Sequence, residues 1–302
     1  MRITLILLLF IVFSCQSDKK THCNYITDYY PTIYKADLEF ALENYKQAFE
    51  LYQDAFSACD AKNTLGLNEI GGFTECSAIL GKFNITYEYA KKQILNGVEL
   101  SRFQNNETFN DFLSSDFGKK FASEYNGLRK DFEDNADSKL RDELISMLSA
   151  DQMYRGRNRQ TDWTKQDSID KIHEERLIEL FESIGYPTDK MVGPFSSDNP
   201  VDVGIFLLHT DDSIRMNYFV PKVKEFVKNG TAPPRRLGTM IDQYYLYNDE
   251  PQIYGTYGAQ GGGYAYMIDD LKKVDSNRIS IGLPPLALKE KKDSIRIVKY
   301  GF

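Results

Sequence analysis

Apolar residues recur at helical spacing between Ala36 and Ala58, and this pattern commits the N-terminal part of the chain to α-helix. They occupy positions 38, 41, 42, 45, 48, 49, 52, 55 and 56, with polar residues between them. Because an α-helix returns to the same face every 3.6 residues, these positions form one stripe that can be buried. We therefore predict an amphipathic helix over residues 36–58.

Small and aromatic residues alternate within this stretch. Tyr45, Ala48, Tyr52 and Ala55 resemble the second helix of a tetratricopeptide repeat, in which alanines let two helices approach closely. Residues 78–94 contain a partial echo of the pattern, whereas a repeat array usually needs about three units. The sequence thus predicts a helical, repeat-like lobe over residues 36–136, either a small bundle or a concave surface for a protein or peptide.

Further aromatic residues predict the core of this lobe. Residues 107–132 are expected to form one helix or a pair, and five side chains are the core candidates: Phe109, Phe112, Phe117, Phe121 and Tyr125.

A polar and acidic break at residues 131–139 separates this lobe from a predicted α-helical C-terminal domain over residues 137–302. Helices are expected over residues 140–157 and 167–184, the second ended by Gly185. A buried helix is expected over residues 199–212. Pro221 predicts a kink or turn in the following helix, which Gly230 ends, and Pro233 with Pro234 opens the next one. The predicted fold class is therefore mainly α.

The segment 249–269 is rich in Gly and Tyr and has no apolar run suited to a core strand. It lacks the Lys and the preceding strand of a phosphate-binding loop, so nucleotide binding is disfavoured. Alternation of Gln252, Tyr254 and Thr256, and of Tyr264 and Tyr266, predicts a short β-hairpin that folds over the helices as a turn or a lid.

The N-terminus indicates export. Residues 1–14 place one Arg before a short apolar stretch, which is typical of a signal peptide and too short to span a membrane. Residues 12–15 resemble the lipobox of bacterial lipoproteins, although Phe13 departs from its usual small residue. This resemblance implies that Cys15 is lipidated, with palmitate among its acyl chains, and that residues 15–35 form the lipidated Cys and a tether. The alternative is a plain secretory signal.

The net charge of the chain limits the classes of partner it can bind, and its cysteines bear on the redox state of its compartment. The net charge of −7 argues against a nucleic-acid partner, which would require clustered Lys and Arg. Besides Cys15, the chain has Cys23, Cys59 and Cys76. An oxidising envelope would permit a Cys59–Cys76 disulfide, and the alternative is that both are small buried apolar residues.

Ordered motifs run through the C-terminal half, from Asp151-Gln152 to residues 282–286. In this order and spacing they resemble a widespread bacterial domain family of unknown function, often found in lipoproteins and beside repeat-type helices. The resemblance covers residues 140–286 and implies no activity. This chain departs from the family pattern at five positions, which puts a conserved site in doubt: Tyr186, His173, Leu208, Gln243 and Tyr257.

Polar residues at helix ends and in the Gly-rich segment form the candidate site. The catalytic candidates are His209, Asp211, Asp151 and Asp242, and the binding candidates are Gln152, Arg155, Asp170, Gln252, Tyr254, Gly255 and Thr256. They could supply a His209 general base oriented by Asp211 or Asp151, with Arg155 or Gln252 holding an oxyanion. The alternative is a buried network that ties the helices to the segment.

Three classes of function follow from these features. The first is a membrane-anchored envelope module that binds an envelope protein or a peptide. The second is an envelope hydrolase using the His/Asp cluster, and the third is a purely structural lipoprotein. No cofactor and no metal are expected, because one His with scattered carboxylates such as Asp211 and Asp242 is a weak metal pattern.

Overall fold

A computed structural model of the chain describes residues 23–64, 69–156, 160–196 and 201–301. The predicted signal peptide, Cys15 and residues 16–22 of the predicted tether lie outside these ranges. The tether predicted up to residue 35 is shorter, because helical structure begins at Tyr25. The protein is mainly α-helical, which confirms the predicted fold class. No helix within these ranges is long and apolar enough to cross a membrane.

The helices follow one another in short elements. The N-terminal ones are α1 (Tyr25–Asp28), α2 (Tyr30–Ala41), α3 (Tyr45–Ala58), α4 (Glu69–Ile79), α5 (Phe83–Ile94), α6 (Ser101–Gln104), a 3₁₀ turn (Glu107–Phe109), α7 (Asn110–Ser114) and α8 (Asp116–Asn135). The later ones are α9 (Ser138–Asp151), α10 (Trp163–Ser183), α11 (Asp189–Val192), α12 (Val203–Leu207), α13 (Asp212–Ile214), a π-helical turn (Arg215–Phe219), α14 (Val220–Lys228), α15 (Pro234–Tyr247), α16 (Leu271–Ser280) and α17 (Leu286–Tyr300).

The single helix predicted over residues 36–58 is wrong, because the chain turns between α2 and α3. Glu43 adopts a left-handed conformation with φ of 64°, and the amide of Asn44 donates to the carbonyl of Glu39 at 2.9 Å. The two helices pack against each other and bury their apolar faces in one core, so the apolar period continues across the turn.

Small residues permit close helix packing, as their spacing predicts. Ala48 and Ala55 on α3 are fully buried, and a Cβ at Gly72 on α4 would lie only 2.5 Å from the Tyr52 hydroxyl. That hydroxyl donates to Asp37 Oδ1 at 2.7 Å, which satisfies a buried polar group between α2 and α3. Gly72 therefore lets α4 approach the ring of Tyr52.

A second, smaller core is made largely of phenylalanines between α5 and α8. Phe109, Phe112 and Phe121 are buried in it, as predicted, and Tyr125 packs against its edge. Phe117 was expected there too, but 42% of its surface is exposed. Phe117 lies in the first turn of α8. Its neighbour Gly118 faces Phe112 and Leu113, and its backbone packs closely against them.

The disulfide joins Cys23 to Cys59, so the Cys59–Cys76 pairing, one of the two alternatives, does not form. Cys59 follows the end of α3, where it bonds to Cys23, two residues before the start of α1. Cys76 lies inside α4 as a buried free thiol. The bridge closes the chain over a sequence separation of 36 residues.

The main core contains side chains from both ends of the chain. Tyr30 on α2 donates to the carbonyl of Ala232 at 3.3 Å, and α1 packs against α14. The last helix, α17, returns to α2, where Lys292 pairs with buried Asp37 at 2.5 Å. The main core contains residues from both sides of the predicted domain boundary between residues 136 and 137. The boundary itself stays a prediction.

Boundary residues in the C-terminal half act as the sequence predicts. Gly185 and Gly230 follow α10 and α14 with φ of 77° and 70°, and Pro234 begins α15. Pro221 lies in the first turn of α14, directly after the π-helical turn, where the chain departs from α geometry. The buried helix expected over residues 199–212 is shorter: α12 ends at Leu207, and the next helix, α13, begins at Asp212.

The Gly-rich segment forms isolated bridges instead of strands. Gly258 pairs with Tyr264 in antiparallel fashion, and Gln252 pairs with Met267 in parallel fashion. No strand forms in the four described ranges, so the predicted β-hairpin is represented by one antiparallel bridge around the glycines.

Candidate functional site

The predicted site residues fall into two clusters and one separate residue. The Asp151 cluster lies between α9, α10 and the turn after α12: Asp151, Gln152, Arg155, Asp170 and His209. The Asp242 cluster joins α15 to the Gly-rich segment: Asp242, Gln252, Tyr254, Gly255 and Thr256. Asp211 belongs to neither cluster.

The centre of the first cluster is a carboxylate–imidazole pair. Asp151 at the end of α9 is fully buried, and its Oδ1 lies 2.7 Å from His209 Nδ1. Its Oδ2 accepts from Gln152 Nε2 at 2.6 Å. A carboxylate bonded to Nδ1 holds the proton there and leaves Nε2 as the basic nitrogen. Nε2 makes no hydrogen bond to a described residue, and His209 is partly exposed.

The charge of Asp151 is stabilised by its neighbours. Burial by itself would raise the pKa of this carboxyl group, but hydrogen bonds from His209 and Gln152 and the positive charge of Arg155 outweigh it. The pKa of Asp151 therefore lies below its ordinary value. Asp151 is ionised at neutral pH and can orient the ring of His209.

Arg155 donates hydrogen bonds to both carboxylate oxygens of Asp170. Its Nη2 lies 2.7 and 2.6 Å from the two oxygens, and its Nε donates to the carbonyl of Asp151 at 3.2 Å. An ion pair of this kind fixes both side chains. To hold an oxyanion, as the sequence suggested, Arg155 would have to release Asp170.

Gln166 is a buried member of this cluster that sequence reasoning missed. Its Nε2 donates to the carbonyl of Asp151 at 3.0 Å and to Asp170 Oδ1 at 2.8 Å. The spacing of Gln166 and Asp170, four residues apart on α10, was the available signal. Gln166 Oε1 and His173 Nδ1 are buried and have no partner in the described residues. Burial lowers the pKa of His173, which therefore stays neutral at neutral pH.

Three side chains of the cluster could bind a metal ion. Asp151, Asp170 and His209 place one ligand atom each within 4.8 Å of one another. Carboxylate and imidazole are ligands for zinc and related cations. The guanidinium of Arg155 already neutralises Asp170, so a cation would have to displace it. As found, the cluster is arranged to orient a base.

The turn that carries His209 is held by a residue that the sequence did not single out. Arg215 is buried and donates to the carbonyls of Leu207, Leu208 and Thr210 at 3.2, 3.0 and 2.5 Å. Its Nη1 lies 3.0 Å from Asp212 Oδ1 without hydrogen-bond geometry, so the two groups form an ion pair only. A basic residue six positions after His209 was too general a signal to identify it.

Asp211 caps a helix and does not orient His209. Its Oδ1 accepts from the amides of Ser213 and Ile214 at the start of α13, at 2.8 and 3.2 Å. Its own amide donates to Glu174 Oε2 at 2.7 Å. Of the two carboxylates proposed as the orienting group, the structure brings Asp151 to the imidazole.

In the second cluster, Asp242 binds the start of the Gly-rich segment. Its Oδ1 accepts from the amides of Ile253 and Tyr254, both at 2.9 Å, and its Oδ2 accepts from the amide and hydroxyl of Thr256 at 2.9 and 2.8 Å. Burial raises the pKa of Asp242 above its ordinary value, and these hydrogen bonds oppose the shift. Four donors thus fix the path of the chain after α15.

Gln252 and Arg278 complete this network. Gln252 Nε2 donates to the carbonyls of Tyr257 and Ala265, both at 2.9 Å, and its Oε1 accepts from the amide of Tyr257 at 3.0 Å. Arg278, another residue missed in the sequence, donates to the carbonyls of Tyr254 and Pro284, both at 2.5 Å. Through these hydrogen bonds, the predicted binding residues of this cluster hold the Gly-rich segment in its conformation.

Three of the five positions at which the suggested family resemblance would imply a different residue have a buried polar atom without a partner in the described ranges. They are Nδ1 of His173, Oε1 of Gln243 and the hydroxyl of Tyr257. Buried polar atoms are normally paired, so each carries a free-energy cost or binds an ordered water. At these three positions, hydrogen bonding among the described residues is therefore incomplete.

Two neighbouring cavities lie between the N-terminal helices and the segment around α11. Their volumes are about 700 and 990 Å³, and they share Asn63, Asp189, Val192 and Phe195 among their lining residues. We call the combined depression the α11 groove. It contains apolar side chains together with charges of both signs.

Comparison with known proteins adds no further assignment. Neither a protein-family model, nor a curated protein, nor a solved structure matches the chain.

Proposed function

We propose that the protein is a lipid-anchored envelope module that binds a peptide segment of another envelope protein in the α11 groove. The observation that carries this proposal is the size and chemistry of the groove. Binding sites are concave, mostly apolar and equipped with a few polar groups. The α11 groove is concave and offers apolar and polar surface in similar amounts, and Phe195, one of its lining residues, is 49% exposed.

The helices beside the groove support a peptide-binding role. The pairs α2–α3 and α4–α5 each pack as neighbours, and all four helices contain buried alanines. We interpret them as a tetratricopeptide-like frame and the Gly-rich segment as a hairpin-like cover. Gln93, near the end of α5, and Arg129 and Phe132 of α8 line the larger cavity, so the frame contributes directly to the groove.

The C-terminal half remains, in this proposal, a copy of the bacterial domain family that it resembles. Its family resemblance supplies no activity, and the Asp151 and Asp242 clusters would hold its helices together. This assignment rests on the order of motifs over residues 140–286.

Anchoring is proposed to occur through Cys15. The protein would then be attached to the outer or the cytoplasmic membrane and face the periplasm or the surface. Labelled palmitate should be incorporated into the wild-type chain and not into a Cys15→Ser variant, which should also leave the membrane fraction. Incorporation into both chains would contradict the anchor, and Cys76→Ser serves as the control because that thiol is buried.

A photoreactive amino acid tests the groove directly. Introduced in place of Phe195, it should form an adduct with one envelope protein in intact cells. The matched control is Trp163, an equally aromatic side chain that is 62% exposed on α10 and is not among the residues lining the groove. The cross-linked peptide would then be synthesised, and its affinity measured by fluorescence anisotropy.

The expected result is specific to the groove. Phe195→Ser should weaken binding of that peptide by about tenfold, the loss of one well-packed anchor of roughly 1.4 kcal/mol. Trp163→Ser should leave the affinity unchanged. Equal adducts from both positions, or equal affinities of both variants, would disprove the peptide site.

A second candidate function is an envelope hydrolase, and the Asp151–His209 pair favours it. A buried carboxylate bonded to Nδ1 with an unbonded Nε2 is the arrangement of a general base. No Ser or Cys side chain in the described residues bonds to His209, so the base would act on a water. Hydrolysis of ester and peptide libraries should then be abolished by His209→Gln, with folding intact. Equal rates in the two chains would exclude this function.

A further inference from the structure

A third cavity lies where α17 meets the start of α15. Its volume is about 370 Å³, and it is lined by residues of α2, α15, α16 and α17 together with Gly255 and Thr256. One face of α17 contributes four side chains: Lys289, Lys292, Asp293 and Arg296. Residues three or four positions apart on a helix share a face, and these positions are related in that way. Only Pro233 is shared with the α11 groove.

Positive charge is concentrated in this cavity. Five cationic side chains line it against one carboxylate, that of Asp293: Arg235, Arg278, Lys289, Lys292 and Arg296. The lining therefore carries 5 − 1 = +4 formal charges, in a chain whose net charge is −7. Like charges in a concave site repel one another, and a bound anion relieves that repulsion.

The most buried of these cations has no hydrogen-bonded anion. Arg278 is 2% exposed, and its Nε and Nη1 donate to the backbone carbonyls of Pro284 and Tyr254. Carbonyls satisfy the N–H groups but do not neutralise the charge. Burial accordingly lowers the pKa of Arg278, as expected for a cation removed from water.

Two exposed arginines on the rim are also available. Neither Arg235 nor Arg296 forms a side-chain hydrogen bond or an ion pair with a described residue. Lys289 and Lys292, in contrast, pair with Asp293 and Asp37. A planar guanidinium can bind two oxygens of one oxyanion at once, which makes free arginines good recognition groups.

The start of α15 adds to the positive potential. This 14-residue helix begins at Pro234, and its N-cap, Pro233, supplies no side-chain cap. The uncapped end of a helix carries a partial positive charge. Tyr34, Pro284 and Leu288 complete the lining with apolar surface, so the cavity offers both an anion-binding end and an apolar wall.

We propose that this cavity binds the phosphate monoester group of a small organic molecule, held by Arg235 and Arg296 over the buried charge of Arg278. Asp37, outside the lining, pairs with Lys292 and leaves 4 − 1 = 3 unbalanced positive charges. A phosphate monoester carries about −1.5 to −2 charges near pH 7 and balances them better than one carboxylate does. The volume fits a small molecule and not a macromolecule. This site is independent of peptide binding in the α11 groove.

The test uses the full chain and phenyl phosphate as the probe, with binding measured by isothermal titration calorimetry. Phenol and inorganic phosphate are titrated in parallel to separate the ring from the anion. Arg235→Gln combined with Arg296→Gln removes the two rim charges without breaking an ion pair of the described structure. Lys139→Gln combined with Lys171→Gln removes two exposed charges elsewhere and is the matched control.

Phenyl phosphate is expected to bind the wild type more tightly than phenol or inorganic phosphate does. The arginine double variant should weaken it at least tenfold, and the lysine double variant less than twofold. Absence of binding to the wild type at millimolar probe, or equal weakening by both double variants, would overturn the proposal.

A phosphate monoester can arrive as a free molecule or as a lipid headgroup. Flotation of the Cys15→Ser chain with vesicles containing phosphatidic acid distinguishes these sources. Flotation that depends on Arg235 and Arg296, together with weak phenyl phosphate binding, identifies a lipid headgroup as the ligand. Tight phenyl phosphate binding without flotation identifies a soluble one.

Discussion

Oδ1 of Asp151 lies 2.7 Å from Nδ1 of His209, although 58 residues separate the two in the chain. Around this pair, Gln152, Gln166 and Arg155 contact Asp151 through side-chain or backbone atoms. The relationship fixes the end of α9 against the turn after α12. It is therefore important for the fold whether or not His209 performs chemistry.

Replacement of Asp151 by Ala is expected to lower the free energy of unfolding by about 1–3 kcal/mol. The change removes the buried acceptor of His209 and Gln152, whereas Arg155 keeps its ion pair with Asp170. Denaturant unfolding at pH 7 measures the loss. Asp54→Ala removes an exposed carboxylate from α3 and should change stability by less than about 0.5 kcal/mol.

The difference in unfolding free energy between the wild type and Asp151→Ala should become smaller in acid. The folded-state pKa of Asp151 is lowered, so its stabilising charge is fully present above the unfolded pKa of about 3.9 and is lost as the pH falls through the folded value. The gap between the wild type and Asp151→Ala should accordingly shrink below about pH 4. A gap that grew in acid would contradict the ionised state of Asp151.

Asp189 should show the opposite behaviour. Burial raises its pKa to about 6, so its ionised form destabilises the folded state at neutral pH. Asp189→Asn is expected to stabilise the protein at pH 7 by roughly 1–3 kcal/mol. The gain should decline as the pH falls through 6 and vanish below about 4, where Asp189 is protonated in both states.

Thermal unfolding between pH 3.5 and 7.5 checks this expectation. Asp54→Asn is the control and should give a flat difference from the wild type. If Asp189→Asn destabilised the protein at pH 7, the carboxylate would have a stabilising partner there.

Gly255 is expected to tolerate no side chain. Its φ is 63°, and a Cβ would lie 2.8 Å from Met267 Sδ. Gly255→Ala should therefore destabilise the protein by about 1–3 kcal/mol. Gly127→Ala in the middle of α8, where a Cβ meets no atom within 4 Å, should instead stabilise it by about 0.5–1 kcal/mol. Opposite signs in chemical denaturation are the expected outcome.

Reduction of the Cys23–Cys59 bridge should lower stability by about 4 kcal/mol, the loop-closure value for a 36-residue separation. Cys23→Ser and Cys59→Ser should each reproduce this loss and abolish the effect of reductant on the melting temperature. Cys76→Ser should keep the reductant effect. A Cys59–Cys76 bridge would reverse the behaviour of Cys23→Ser and Cys76→Ser.

Local signals in the sequence were sufficient for several helix boundaries. Gly185, Gly230 and Pro234 act through their own backbone preferences, so their positions could be predicted without any neighbours. The turn at Glu43 could not, because no Gly or Pro marks it and the apolar period continues on both sides. There the tertiary packing of α2 on α3 decides the conformation.

The candidate site was predictable in its residues but not in its pairings. Asp151, His209 and Asp242 were identified as polar groups near helix ends, which is a local property. Their partners depend on folding: Asp242 binds backbone amides 11 to 14 residues away, and Asp151 binds the ring of a residue beyond α10. The Cys23–Cys59 pairing is of the same kind, since spacing alone allows three pairings among three cysteines.

In a chain anchored at Cys15, a pull on the membrane tether enters the folded body at Cys23. The disulfide passes this force directly to Cys59, and residues 24–58 lie in a closed covalent loop that bears no tension. The helices α1, α2 and α3 are thus mechanically shielded. Load on the tether would reach the protein first at the connection that follows α3, and the fold would not be peeled from its N-terminal end.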